Sequence, residues 1–68
     1  MTPKQISKIV TALNAARLGM PGSFLVFDSE GEGGASYQGG SYPTMSQGDV
    51  AIPVSNKKMT RRYVEQYL

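Results

Sequence analysis

The sequence predicts a small α+β domain in the order α-β-β-β-α, a short antiparallel sheet packed by two helices, and three observations carry that expectation. A capped amphipathic pattern fills residues 3 to 18, apolar runs of strand length stand at 23 to 28 and 50 to 54, and a second helical pattern covers 56 to 67. The 68 residues read as a single domain, 1 to 68, without an internal repeat or a dividing linker. A chain of that length buries only about 60% of the surface its unfolded form exposes. A homo-oligomer or a closely fitting partner is therefore an expectation of size alone.

The first helix is the most legible element. Thr2 suits the N-cap, Pro3 the first helical position, and Gln5 completes a T-x-x-Q capping box, with Met1 and Ile6 placed as a hydrophobic staple. Ile6, Ile9, Val10, Leu13 and Ala16 recur at the spacing of one helical face, while Lys4, Lys8, Thr11 and Ala15 lie opposite. Arg17 complements the helix dipole, Gly19 offers a left-handed cap and Pro21 forbids continuation, which sets the end at residue 18.

Pro21-Gly22 is a turn pair, and the Phe and Val content of 23 to 28 favours a buried strand. Residues 31 to 48 are rich in glycine, with Ser36, Tyr37, Ser41, Tyr42 and Pro43 between. They read as a Gly-rich loop or as a hairpin whose arms, 35 to 38 and 41 to 45, flank Gly39-Gly40; the tyrosines favour the hairpin. Pro53 confines the strand at 50 to 54 to an edge or an end. Ser55 is the expected N-cap of the second helix, with Met59, Tyr63, Val64 and Tyr67 on its apolar side and Arg61–Glu65 as an i, i+4 pair. Phe24, Val26, Val50, Ile52 and Val54 are the strand residues expected nearest the core.

Composition narrows the function classes. The chain has neither cysteine nor histidine, which removes disulfides, thiolate nucleophiles and imidazole acid–base groups. Asp28, Glu30 and Glu32 lie in a Gly-rich turn where nothing pushes a carboxylate toward catalytic use, so the expectation is no enzyme and no cofactor. Residues 28 to 33 imitate the start of a calcium loop, but the twelfth position is Gly39 rather than a glutamate, and the expectation is a solvated acidic turn and no metal site. The glycines fit no phosphate-binding motif. No run approaches the roughly 18 apolar residues of a membrane span, and no signal-peptide pattern opens the chain. No membrane partner and a cytoplasmic location are expected.

Charge is the remaining signal. Seven Lys and Arg stand against five Asp and Glu, and Lys57, Lys58, Arg61 and Arg62 crowd into six residues. Cations in a helix's first turn oppose its dipole, which would fit Lys57 and Lys58 for contact with something negative. Lys57, Lys58, Arg61, Arg62 and Tyr67 form the expected binding set, because arginine and tyrosine supply much of the energy of protein interfaces. Lys4, Lys8, Tyr37 and Tyr42 are secondary candidates. The leading expectation is a non-enzymatic protein-binding module, an adaptor or inhibitor of a larger protein or complex, of the kind common among phage and mobile-element accessory proteins. The alternatives are a nucleic-acid-binding protein using the basic C-terminal helix on phosphates, with Lys4, Lys8 and Arg17 adding to the same surface if the two helices lie side by side, and a small structural or assembly subunit.

Overall fold

The computed structural model describes residues 1–37, 43 and 45–68, and of 34–37 the backbone alone. The expected turn at Gly39-Gly40, the arm at 41–45 except for Pro43 and Met45, and Tyr42 lie outside the described residues, as does the side chain of Tyr37.

Helix α1 runs Pro3–Ala16 and starts where the sequence places it. The capping box is complete: Gln5 N–H donates to Thr2 Oγ1 at 3.2 Å and Thr2 N–H donates to Gln5 Oε1 at 2.8 Å. Two of the otherwise orphaned amide donors are thereby satisfied. Ile6, Ile9 and Leu13 are buried, Val10 and Ala16 are half-buried, and Lys4, Lys8, Thr11 and Ala15 face solvent.

The helix ends two residues earlier than expected, and the terminator differs. Gly19 does not take a positive φ. The chain instead tightens, with Leu18 N–H donating to Ala15 O at 3.4 Å, Gly19 N–H to Ala16 O at 3.1 Å and Met20 N–H to Ala16 O at 2.8 Å. Two three-residue closures and one four-residue closure thus use the last carbonyls without a left-handed residue.

Three antiparallel strands, β1 (Phe24–Phe27), β2 (Gly33–Tyr37) and β3 (Val50–Pro53), form a sheet in the order β2-β1-β3. The stretch 35–37 therefore pairs with β1, with Val26 opposite Ala35 and Phe24 opposite Tyr37. A bulge interrupts the register between Val26 and Phe27, where Phe27 faces Gly33. Gly33 sits at φ 135°, and a Cβ there would lie 2.6 Å from Val26 O, so the bulge requires glycine at this position.

The core side of β1 is the reverse of the expected one. Leu25 and Phe27 are buried, whereas Phe24 and Val26 are half-buried on the opposite face. All four residues are apolar, so alternation carries no information about which pair points inward; pairing settles it, with Leu25 opposite Ile52 and Phe27 opposite Val50. Ile52 and Val54 are buried as expected, and Val50 is half-buried. Ile6, Ile9, Leu13, Leu25, Phe27, Ile52, Val54, Met59 and Val64 form one continuous cluster.

Helix α2 is Arg61–Glu65, far shorter than 56–67, and its N-cap is Thr60 rather than Ser55. Thr60 Oγ1 accepts from Tyr63 N–H at 3.3 Å. The Ser55 hydroxyl accepts from Lys57 N–H at 3.1 Å, closing a local turn that goes no further. The obstacle is Met59, whose side chain enters the core at 1% exposure. Its backbone is bracketed by Asn14: Met59 N–H donates to Asn14 Oδ1 at 2.7 Å, and Asn14 Nδ2–H donates to Met59 O at 2.8 Å. With both groups taken by a side chain from α1, residue 59 cannot join a helical ladder.

The result is a compact small α+β fold: the Cα radius of gyration is 10.7 Å, close to the roughly 11 Å expected of a folded chain this long.

Candidate interaction surface

The Asn14 bracket decides how the basic tract is displayed. Lys57 and Lys58 lie in the loop ahead of α2, not in its first turn, so the expected conflict with the helix dipole does not arise. Arg61 and Arg62 open α2, and all four side chains are exposed. Arg61 Nε lies 3.6 Å from Glu65 Oε2, the i, i+4 pair expected. Among the described residues no carboxylate pairs with Lys57, Lys58 or Arg62.

The tyrosines of α2 divide their roles. Tyr63 is half-buried against the core cluster, and its hydroxyl donates to Pro53 O at 2.6 Å, tying α2 to the end of β3. Burial, followed by a hydrogen bond and charge interaction with Tyr67, pushes the Tyr63 phenol up to about 12. Tyr67 packs its ring on Tyr63 with centroids 5.4 Å apart and planes tilted by 55°. It remains 38% exposed, which leaves an aromatic edge one turn from Arg62 and Tyr63.

Of the secondary candidates, Lys4 and Lys8 are not brought to this surface. Lys4 precedes Asn14 by ten residues, about 15 Å along the helix axis. Lys8 forms an ion pair with Glu32, and that hydrogen bond and charge hold its ammonium pKa above the usual lysine value. Lys4, Ser7, Lys8, Thr11 and Ala12 line an open concavity of 430 Å³ on the outer face of α1. Arg17 is different: it stands one turn beyond Asn14, about 60° round the axis, and its Nε is buried without a hydrogen-bond partner among the described residues.

Four of the five acids gather at the opposite end. Asp28 Oδ1 accepts from Glu30 N–H at 2.8 Å and Glu32 N–H at 3.0 Å, an ordered acidic turn rather than an open one. Gly31, at φ 80°, presses this turn onto α1 so closely that a Cβ would lie 3.0 Å from Gln5 O. Asp49 directly precedes Val50, which pairs with Phe27 beside Asp28. Among the described residues no three His, Cys, Asp or Glu are arranged to hold a metal ion, and no helix is long and apolar enough to cross a membrane.

Comparison with protein-family models, with curated proteins and with solved structures finds no match to this chain. Asn14 is the residue that sequence reasoning passes over. The available signal was a side chain of poor helix propensity set between Leu13 and Ala15 in the last turn of an amphipathic helix, where a polar group can bond elsewhere.

Proposed function

We propose that the chain is a non-enzymatic protein-binding module, an adaptor or inhibitor that docks on an acidic face of a larger protein through Lys57, Lys58, Arg61 and Arg62, with Tyr67 as its aromatic contact. The observation that carries this reading is the display of the tract: three of its four cations are exposed with no carboxylate beside them among the described residues. Exposed, unpaired charge contributes little to folding, so it is free to serve recognition and association rate. The tyrosine pair next to it supplies contact area at low entropy cost.

The test is charge reversal. Arg61→Glu with Arg62→Glu abolishes capture of the partner in a pull-down from the source cells and leaves the thermal unfolding midpoint within a few degrees of the parent. A double variant that captures the same partner as the parent contradicts the reading. So does one that no longer folds, because the arginines then serve the structure.

The same crowding of four cations in six residues favours a second reading, binding to a nucleic-acid backbone. Counterion release makes such binding fall steeply with salt. Retention of an oligonucleotide in a gel shift at low salt, lost at physiological salt, is the outcome that reading requires.

A further inference from the structure

The basic surface is larger than the tract that announces it. Asn14 fixes the loop before α2 against the last turns of α1, which brings the end of α1, where Arg17 stands, toward the tract although 39 residues of sequence lie between Arg17 and Lys57. The other end of α1 receives the acidic turn, through Gly31 on Gln5 and Glu32 on Lys8. The two ends of the sheet divide in the same way: Phe27 and Val50 lead to Asp28 and Asp49, whereas Gly22 N–H donates to Val54 O at 2.9 Å where the chain comes from Arg17 and departs toward Lys57.

Arg17, Lys57, Lys58, Arg61 and Arg62 thus hold five of the seven cations at one end, with Glu65 the one carboxylate of five that accompanies them. Glu65 is engaged by Arg61. Asp28, Glu30, Glu32 and Asp49 are committed by topology to the far end, so no acid of the same molecule remains for Arg17. Among the described residues its Nε alone is buried without a hydrogen-bond partner, so the Nη end of the guanidinium is what a carboxylate from outside can meet.

Resting on the protein-binding reading above, we propose that Arg17 belongs to the same docking surface, and that the partner is an acidic protein segment that places a carboxylate on the Arg17 guanidinium while its other acids meet Lys57, Lys58 and Arg62. A planar guanidinium accepts a carboxylate by two parallel N–H donors, which a lysine cannot reproduce. Glu65 and the exposed Tyr67 within the surface suit a peptide, with its mixed charge and apolar side chains, better than an unbroken row of phosphates.

The experiment is fluorescence anisotropy with a labelled Glu/Ala-repeat peptide as probe and a single-stranded oligonucleotide of equal charge as comparison, at one low ionic strength. The parent protein binds the peptide at least as tightly as the oligonucleotide. Arg17→Gln weakens peptide binding about tenfold, the loss of one charge-assisted contact, and Arg17→Lys weakens it by a smaller factor; both are measured beside a thermal melt. If Arg17→Gln does not fold, Arg17→Lys against the parent carries the test.

Three outcomes overturn the proposal. Peptide affinity unchanged in the Arg17 variants but lost in the Arg61→Glu, Arg62→Glu variant leaves the tract as the docking surface and removes Arg17 from it. Tighter binding of the oligonucleotide replaces the partner class. Absence of peptide binding by the parent removes this inference and the reading it rests on together.

Discussion

Asn14 shows how one side chain redraws an element 45 residues away. Its amide supplies a donor and an acceptor at the spacing of one residue's backbone, so Met59 is held outside the helix with both polar groups satisfied. Replacing Asn14 by Ala strands a partly buried N–H and C=O, and the expected cost is about 2 to 3 kcal/mol in urea unfolding. A loss below about 0.5 kcal/mol, the scale of ordinary surface substitutions, contradicts the bracket. The Tyr63 phenol gives a second residue-scale test. The folded state keeps its proton to about 12, whereas the ordinary value is 10.0, so between those pH values the folded chain binds more protons and stability falls as pH rises. Absorbance titration is expected to show one tyrosine ionising well after an ordinary one, in step with loss of stability; ionisation of every tyrosine near 10 counts against its burial and its bond to Pro53.

At the scale of elements, what was legible in the sequence was what local chemistry determines. The start of α1 is set by Thr2, Pro3 and Gln5 within four residues, and its buried face by a repeat that any helix reads alike. The start of α2 is not local. Ser55 has the right chemistry for a cap and even makes its turn, but the core's need for Met59 and the reach of Asn14 postpone the helix to Thr60. This assignment predicts that Thr60→Ala costs about 1 kcal/mol as loss of an N-cap, while Ser55→Ala stays within about 0.5 kcal/mol; chemical denaturation of the two variants checks it, and the reverse order would restore the longer helix. The inward face of β1 was illegible for a different reason. Phe24 to Phe27 is apolar at every position, so only the register against β3 picks out Leu25 and Phe27.

For the molecule as a whole, the basic tract was visible as a cluster, but which of Lys4, Lys8 and Arg17 join it depended on helix packing that the sequence left open. Membership depends on which segments the fold brings to one end, which is the ground for proposing Arg17 with the tract, whereas Lys8 pairs with Glu32 and Lys4 lies on the outer face of α1. Net charge of +2 conceals this polarity, because the two ends partly cancel in the total. On the proposed docking reading, a chain so divided would meet an acidic surface in one orientation, steered by its own field.

The direct test is an amide chemical-shift map of the isotope-labelled protein titrated with the Glu/Ala-repeat peptide. The account predicts shifts concentrated at Arg17, at 57–62 and at Tyr67, with Asp28 to Glu32 unmoved. Shifts centred on the acidic turn or on Lys4 and Lys8, with residues 57–62 silent, would contradict it.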